Sequence, residues 1–382
     1  MQNIKKILIV AGEASGDLHA ANLVAEIKRI NPQIRFFGLG GKKLQAQGVN
    51  LYCDIVDLAV VGIFEVIKNL SKFKQIFNGL LAEADKKKPD LAILVDYPGF
   101  NLRLAAELKK RNIPVIYFIS PQIWAWGAKR IHEIKRNINL MIVVFKFEEE
   151  LYKQHDMPVY FCGHPLLDIV GSKTNREQFL GELKLSKELK TIALLPGSRE
   201  KEINNLLPVM MKTAENLYRR FNKEIQFIIL RSPTVKEEIF NTIIKKYNVP
   251  VVVVSDNTYA GLISCDFAMV ASGTATLETA ILGVPMVILY KVSMLTYAFI
   301  KTVIKIPYIG LVNVVKKERF IEEFIQHGLK PDKIADYIYK TISDPIRLSD
   351  IKAGLAEVTS SLGEKGANRK AASAIIKFLE KE

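Results

Sequence analysis

The chain has 382 residues, 49% of them hydrophobic and 25% charged, which suits two globular domains better than one. Its 54 Lys and Arg exceed its 40 Asp and Glu, and the formal net charge of +14 favours anionic partners. Three separated cysteines and the lack of any uncharged apolar run of about 18 residues argue against a disulfide framework, a zinc site and a membrane span.

Apolar runs alternate with helical patterns through the first half of the chain. Helical periodicity is predicted over 17–30, 64–87, 101–112 and 128–137. The runs are apolar nearly throughout, as is typical of strands buried on both faces. They are KKILIVAG, IRFFGLG, DLAILVD, PVIYFIS and NLMIVVF. This alternation predicts a parallel sheet with right-handed crossovers.

The same alternation restarts after the polar segment 163–179. The strand candidates there are KTIALLPGS, IQFIIL, PVVVVS, DFAMVAS and PMVILY. We therefore predict an α/β protein with two Rossmann-like domains that face each other. The expected bounds are 1–170 and 171–345, with helices over 346–382.

Residues directly after the strands are the first candidates for a site, because open parallel sheets bind ligands beyond the carboxyl ends of their strands. In GEASGD, Gly12 and Gly16 allow a ligand to approach closely, and Asp17 is expected to cap the following helix. A tight turn with a good cap explains these residues equally well. The turn FGLGGKKL fits neither the dinucleotide fingerprint nor the P-loop, and we predict no cofactor.

Two further loops of the first half carry candidate residues. Asp96 ends the strand in ILVDYPGFNLRLA, where a carboxylate can accept a proton from a substrate hydroxyl, although a turn or cap role is as common. The loop FISPQIWAWGAKR holds both tryptophans, Trp124 and Trp126. Aromatic side chains at this density suit the wall of a sugar or lipid site, and packing between domains equally.

Two loops of the second half predict an anion site. ALLPGSREKEI presents Ser198 and Arg199 where a helix begins, and arginine suits phosphate. MVASGTATLETAIL opens a helix with Ser272, Gly273 and Thr274. Glu278 follows one turn later, at a distance that suits a ribose diol. A small-residue helix packed on the sheet is the alternative, but it leaves the acid unexplained.

The motif search predicts neither a metal site nor a serine hydrolase, since no H-E-x-x-H, D-x-D or G-x-S-x-G pattern occurs. Two segments combine apolar side chains with lysines, as interfacial helices do. They are VVGIFEVIKNLSKFKQIF and MLTYAFIKTVIKIPYIGLV. In the first, the predicted membrane contacts are Phe64, Ile67, Leu70 and Phe73; an ordinary amphipathic core helix is the alternative.

The motifs VAGEASGD, SPQIWAW, GHP, LLPGSR and SGTATLE occur here in the order found in the lipid-A-disaccharide synthase family, which the chain resembles from Ile7 to about Glu323. GEASGD with SPQIWAW is specific to that family, whereas GTATLE indicates only the wider glycosyltransferase class. The resemblance implies a GT-B fold with a cleft between the domains and a C-terminal helix that returns to the first one. It also implies metal-independent, inverting transfer of diacylglucosamine from UDP to the 6-hydroxyl of diacylglucosamine 1-phosphate.

Matching positions carry the implied roles. Asp96 matches the family's general base, Arg199 its phosphate-contacting arginine and Glu278 its nucleotide-binding acid. The predicted catalytic pair is Asp96 and Arg199. With the loop residues above, the predicted substrate-binding set is Glu13, Ser15, Asp17, Trp124, Ser198, Ser272, Gly273, Thr274, Glu278 and Asn313.

The expected partners are UDP-diacylglucosamine, diacylglucosamine 1-phosphate and an anionic membrane surface. The expected location is cytoplasmic and peripheral, on the inner face of the inner membrane. No nucleic-acid partner is predicted, because no RNA-binding signature occurs, and a homodimer is one option for the assembly. Two alternatives stay open: a GT-B transferase or epimerase for another UDP-sugar, and a non-catalytic nucleotide-binding protein.

Overall fold

The structure, a computed structural model, describes residues 4–54, 70–127, 130–294, 297 and 307–381. The chain forms two compact units. The first contains Met1–Asp168 and Leu362–Glu382, and the second contains Ile169–Ser361.

The first unit is built on a parallel sheet. Its described strands are β1 Lys6–Ala11, β2 Arg35–Gly40, β3 Asn50–Asp54, β4 Leu91–Val95, β5 Val115–Phe118, β6 Leu140–Val143 and β7 Val159–Phe161. Their order in the sheet is β3-β2-β1-β4-β5-β6-β7. The described helices are Ala14–Ile30, Lys42–Ala46, Leu70–Lys87, Pro98–Lys110, Ile123–Trp126, Ile131–Asn137, Lys146–Lys153, Leu166–Ile169 and Ala367–Leu379.

The central strands are buried because helices cover the sheet. All residues of β4 and β5 are buried, as the apolar runs predict. Ile76, Leu104 and Ile134, each from a different helix, pack with the strand side chains in one apolar core. Helix Ala367–Leu379 packs against helix Ala14–Ile30.

The second unit repeats this plan. Its described strands are β8 Lys190–Leu195, β9 Ile225–Leu230, β10 Val251–Val254, β11 Phe267–Ala271, β12 Met286–Tyr290 and β13 Glu323–Ile325. They run parallel in the order β10-β9-β8-β11-β12-β13. The described helices are Arg176–Glu182, Glu200–Arg220, Glu237–Ile244, Thr258–Ile263, Ala275–Ile281, Leu311–Lys316, Pro331–Ile342 and Pro345–Ser361, with a 3₁₀ turn at Gln326–Gly328.

Three strands lie outside the predicted set: β3, β7 and β13. All three are at sheet edges and only partly buried. β7 and β13 have three residues each and β3 has polar residues at both ends, so none of them shows the long apolar run that identifies a central strand. The helix predicted from residue 101 begins at Pro98, since proline suits the first turn of a helix.

The C-terminal helices divide between the units, whereas the sequence grouped 346–382 together. Helix Pro345–Ser361 lies in the second unit, where it packs on helices Ala275–Ile281 and Leu311–Lys316. Helix Ala367–Leu379 belongs to the first unit, and the Asp168 carboxylate accepts hydrogen bonds from the backbone at its start.

The predicted membrane segments fall largely outside the described residues. Phe64 and Ile67 lie outside them, as do 295–296 and 298–306. Leu70 begins a described helix, in which Phe73 is half-buried against the core of the first unit. This packing agrees with the alternative, an amphipathic core helix, and the membrane contact of Phe73 stays a prediction. No helix in the described part of the chain has the length and apolar character to cross a bilayer.

Candidate functional site

The first unit has a topological switch point between β1 and β4. The chain continues from β1 to β2 on one side and from β4 to β5 on the other, so the loops after β1 and β4 diverge. Ligands of open parallel sheets bind at such points. The two loops carry Glu13 and Asp96.

The backbone directly after β4 is strained and firmly held. Asp96 and Tyr97 are both left-handed, with φ of 48° and 49°. Each such residue costs roughly 1–3 kcal/mol, so its surroundings must stabilise it. The Asn101 amide donates to the Asp96 carbonyl at 2.7 Å, and the Tyr117 hydroxyl donates to the same oxygen. Strain of this kind is typical of functional sites.

The Asp96 carboxyl has the acidity of a general base. Burial raises its pKa to about 6 and the Glu13 carboxylate acts in the same direction, while a hydrogen bond from the Tyr97 backbone opposes them. At pH 7 the group is mostly ionised, and its conjugate acid is weak enough to keep a proton taken from a hydroxyl.

The loop after β1 has a glycine, Gly12, where a neighbouring side chain of the protein needs the space. A Cβ on Gly12 would lie 2.1 Å from a Tyr97 ring atom, so this glycine makes room for a side chain of the protein rather than for a ligand. Glu13 and Ser15 are exposed at the start of helix Ala14–Ile30, where substrate can reach them.

Asp17 departs from its predicted binding role. Its carboxylate is 3% exposed and accepts backbone hydrogen bonds from Gly41 at 2.8 Å, Lys43 at 3.1 Å and Leu44 at 3.2 Å. It therefore caps helix Lys42–Ala46 rather than its own helix. With both oxygens engaged by backbone amides, Asp17 holds the loop after β2.

The loop after β5 is tied to the helix after β6. Trp124 is half-buried, packs edge-on against Phe147 and donates from its indole Nε1 to Glu148 Oε1 at 3.1 Å. Sequence analysis missed Glu148, although it follows a strand as closely as the residues that were chosen. Its carboxyl is 1% exposed, and burial raises its pKa to about 8.

Two histidines at the same end of the first unit are neutral. Burial lowers the pKa of His19 to about 4 and that of His164 to about 3. Neither imidazole carries a positive charge at pH 7. The neighbourhood of Asp96 therefore gains no cation from them.

The second unit has its switch point between β8 and β11, and a cavity of about 810 Å³ lies there. Six of the predicted residues line it, from two segments about 70 positions apart in the sequence. They are Ser198, Arg199, Ser272, Gly273, Thr274 and Glu278. The structure thus brings the two predicted anion-binding loops to one cavity.

Glu202 organises the loop after β8, and sequence analysis missed it. Its carboxylate accepts from the Ser198 backbone at 3.0 Å and pairs with the Arg199 guanidinium at 2.9 Å. Gly197 has φ of 115°, and a Cβ there would lie 2.4 Å from the Glu202 carboxylate. The Arg199 side chain remains 78% exposed, so it is accessible to an anion.

The loop after β11 contains a glycine with open space beside it and a serine that is held by a hydrogen bond. Gly273 has φ of 149° with open space where a Cβ would lie, and the Ser272 hydroxyl donates to the Ile309 carbonyl at 3.1 Å. Glu278 accepts from the Tyr259 hydroxyl at 3.2 Å, and burial raises its pKa. Tyr259 also lines the cavity, so the pair forms one polar side of it.

Arg231 is a second cation at this cavity that sequence analysis missed. It directly follows β9 and lines the cavity. Its Nε donates to Ser255 at 2.9 Å and its Nη1 to the Val235 carbonyl at 3.0 Å, which fixes the guanidinium. Its position after a strand was the available signal.

Asn313 departs from its predicted binding role. It is fully buried, and its amide donates to the Ile321 carbonyl and to Glu323 Oε1, both at 2.8 Å. Its side-chain oxygen accepts from the Ile321 backbone at 3.0 Å. Asn313 thus joins helix Leu311–Lys316 to the chain entering β13, and it does not line the cavity.

Among the residues that the structure describes, no three His, Cys, Asp or Glu side chains are grouped so that they could hold a metal ion. The polar groups gathered at the two switch points are carboxylates, guanidinium groups, hydroxyls and backbone amides. Such groups can bind a phosphorylated sugar and move a proton.

Solved structures with this architecture include an epimerase and a glycosyltransferase. UDP-GlcNAc 2-epimerase from Neisseria meningitidis, bound to UDP-GlcNAc, matches with a TM-score of 0.61 and 12% identity, covering 99% of this chain and 100% of that one. CalG4, the calicheamicin glycosyltransferase, matches with a TM-score of 0.62 and 13% identity, covering 100% and 99%. Two Rossmann-like units of this kind define the GT-B fold.

The sequence comparisons identify the family within that class. The family model for lipid-A-disaccharide synthetase matches residues 7–378. The lipid-A-disaccharide synthase of Syntrophus aciditrophicus (strain SB) is 42% identical over 380 residues, which cover 99% of each chain. The chain belongs to the lipid-A-disaccharide synthetase family.

Proposed function

We propose that the chain transfers 2,3-diacylglucosamine from UDP-2,3-diacylglucosamine to the 6-hydroxyl of 2,3-diacylglucosamine 1-phosphate. The anomeric carbon gains the acceptor oxygen and loses the β-phosphate oxygen of UDP, with inversion. The observation that carries the proposal is the convergence of six family-matched residues on one cavity of about 810 Å³. Family membership supports the identity of both sugars.

The donor site of the proposal is the cavity of the second unit. Arg199 binds the diphosphate, and the fixed guanidinium of Arg231 adds a second positive charge to the same cavity. Glu278 accepts hydrogen bonds from the ribose hydroxyls. The cations stabilise the negative charge that grows on the β-phosphate as the sugar leaves.

The acceptor site of the proposal lies after β1 and β4 of the first unit. Asp96 accepts the proton of the 6-hydroxyl as the new C–O bond forms, and the strained turn fixes its position. Glu13 and Ser15 bind sugar hydroxyls at the exposed start of the helix. Trp124 forms one wall for the sugar or its acyl chains.

One assay tests the reaction. The purified protein is incubated with the diacylated donor and acceptor, and UDP and the disaccharide phosphate are measured by chromatography and mass spectrometry. The proposal expects equal amounts of both products, and no UDP when either sugar is omitted. UDP release without acceptor, turnover of a soluble UDP-sugar alone, or nucleotide binding without turnover would contradict it.

We also propose that the protein binds the cytoplasmic face of the inner membrane, where lipid substrates are accessible. The net charge of +14 and the exposed Lys72 and Lys74 support this, since cations favour anionic lipid. Co-sedimentation with vesicles of phosphatidylglycerol should fall as salt rises. Replacing Phe64 and Ile67 by serine should reduce it severalfold.

A matched control removes an exposed apolar side chain elsewhere. Ile346 lies in the second unit and is 75% exposed, so Ile346→Ser should leave vesicle binding unchanged. Equal loss in this control and in the double variant, or binding that is insensitive to salt, would contradict the proposed membrane face.

A further inference from the structure

Tyr259 is a side chain of the cavity that the proposed function leaves without a task. It lies on helix Thr258–Ile263, which follows β10, and it lines the cavity of the second unit together with Glu278. Its hydroxyl donates to Glu278 Oε1 at 3.2 Å, and both residues are half-buried. The phenol and the carboxylate are therefore joined where a ligand of the cavity can reach them.

The helix that carries Tyr259 is held by close packing. A Cβ on Gly261 would lie 2.7 Å from Leu230 Cδ2, so the lack of a side chain at Gly261 lets the helix pack directly on the end of β9. Ala260 and Leu262, on the two sides of this glycine, are both buried. The fold thus sets the position from which the Tyr259 hydroxyl reaches Glu278.

The Glu278 carboxylate depends on Tyr259 for its orientation. From the part of the chain that the structure describes, it receives this one hydrogen bond. A carboxylate has about four acceptor positions, so both hydroxyls of a ribose can still donate to it. A glutamate side chain loses much conformational entropy when it becomes ordered. Because the bond from Tyr259 orders it before a nucleotide binds, less of that entropy is lost on binding.

We propose that Tyr259 is a positioning residue of the cavity, whose hydroxyl holds the Glu278 carboxylate toward the ribose diol and so makes the cavity selective for ribonucleotides. A nucleotide without the two ribose hydroxyls gives the half-buried carboxylate no partner in place of water, and it gains nothing from the orientation of Glu278. The inference rests on the proposed function only for the assignment of Glu278 to the ribose.

The first test compares two nucleotides. Tyr259→Phe keeps the ring and removes the hydroxyl, and calorimetry measures the Kd for UDP and for 2′,3′-dideoxy-UDP. We expect the variant to raise the Kd for UDP about 5–10-fold, the range for one lost hydrogen bond, and to leave the Kd for the dideoxy nucleotide within about twofold. Equal weakening of both nucleotides, as a general disturbance of the cavity would give, would overturn the proposal. So would an unchanged Kd for UDP.

The second test asks whether Tyr259 acts through Glu278. Glu278→Ala removes the carboxylate that the hydroxyl holds. Adding Tyr259→Phe to this variant should therefore change the Kd for UDP by less than about twofold, because the two residues act as one unit. Additive effects of the two substitutions would mean that the phenol contacts the nucleotide itself, and the positioning role would be wrong.

Tyr247→Phe is the matched control. Tyr247 is a half-buried tyrosine of the same unit that follows helix Glu237–Ile244 and does not line the cavity. Its substitution removes the same hydroxyl group, and both Kd values should stay at those of the parent. A loss of UDP affinity equal to that of Tyr259→Phe would contradict a specific role for Tyr259.

These measurements use nucleotides alone, so they are independent of the transfer reaction. If the parent protein prefers UDP to the dideoxy nucleotide but forms no disaccharide, the proposed transfer fails and the role of Tyr259 stands. If the parent binds both nucleotides equally, Glu278 does not contact the ribose, and the inference fails whatever the transfer assay gives.

Discussion

The two switch points of the molecule share a topology and differ in charge. In the first unit the loops after β1, β4 and β6 lead to three acids, Glu13, Asp96 and Glu148. In the second unit β8 and β9 are followed by Arg199 and Arg231, and the cavity there is lined by these two cations and by the acids Glu202 and Glu278. The parallel sheet fixes where a site lies, and the residues after its strands decide what that site can do.

The two switch points also differ in how exposed their charged side chains are to solvent. Burial raises the pKa of Asp96 to about 6, as a base for a hydroxyl requires. Arg199 is instead 78% exposed, as suits a cation that meets a phosphate arriving from water. A change at one switch point should therefore affect one step and leave the other intact, and the following variants examine that separation.

The largest expected effect is on turnover. Asp96→Asn should lower kcat by about 10²–10⁴-fold, the usual contribution of a general base, because asparagine cannot accept the proton. The Kd for UDP, measured by calorimetry, should stay unchanged, since the cavity in the second unit keeps all its residues.

Asp85→Asn is the control for this variant. Asp85 belongs to the same unit but is an exposed partner of Arg111, so both constants should keep their parent values. Near-normal turnover of Asp96→Asn would remove Asp96 from the role of base, and a parallel loss of UDP binding would end the separation of the two sites.

The next effect is on nucleotide binding. Arg199→Ala should raise the Kd for UDP about 10–100-fold, the cost of a lost charge-assisted hydrogen bond. Arg220→Ala removes an arginine from the other end of the same helix, where it pairs with Asp336, and should leave the Kd within twofold. An equal effect of the two substitutions would indicate loss of general positive charge rather than of a phosphate contact.

Most of the strands that could be predicted from the sequence are buried along nearly their whole length. The central strands are apolar on both faces, so β1, β4, β5, β8 and β11 stand out as runs. The edge strands β3, β7 and β13 were missed because β7 and β13 are only three residues long and β3 begins and ends with polar residues. The division of the C-terminal helices depends on tertiary contacts that no local pattern records.

The site was predictable where a residue follows a strand in a recognisable motif. Ser198, Arg199, Ser272 and Glu278 meet at one cavity as expected. Asp17 and Asn313 belong to equally recognisable motifs, yet the polar atoms of both side chains form hydrogen bonds with the protein's own backbone. A motif therefore indicates that the residue type at a position matters. Only the contacts in the structure show whether that residue stabilises the fold or is available to a ligand.

The third prediction examines this distinction at Asp17. Asp17→Ala leaves three backbone donors without their carboxylate, so the free energy of unfolding should fall by about 2–4 kcal/mol. Asp17→Asn retains one acceptor oxygen and should recover part of the loss. Urea unfolding measures both, and calorimetry should find the Kd for UDP unchanged. Full stability of Asp17→Ala would contradict the structural role.

The smallest expected effect concerns stability at the first switch point. The pKa of Asp96 is about 6 in the folded protein against 3.8 unfolded, so its contribution to stability is full below pH 3.8 and is lost as pH rises through 6. At pH 7.5 the buried charge destabilises the fold, and Asp96→Asn should be more stable by about 1–2 kcal/mol, allowing for partial solvation. At pH 5 the advantage should shrink to roughly half, because Asp96 is then largely protonated. Urea unfolding at the two pH values measures the free energy of unfolding of both proteins. Asp85→Asn, whose partner is at the surface, is the control, and its free energy of unfolding should stay close to that of the parent at both pH values. An advantage for Asp96→Asn that grows as pH falls would mean that Asp96 is stabilised in its charged form, and the base would then have to be sought elsewhere in the first unit.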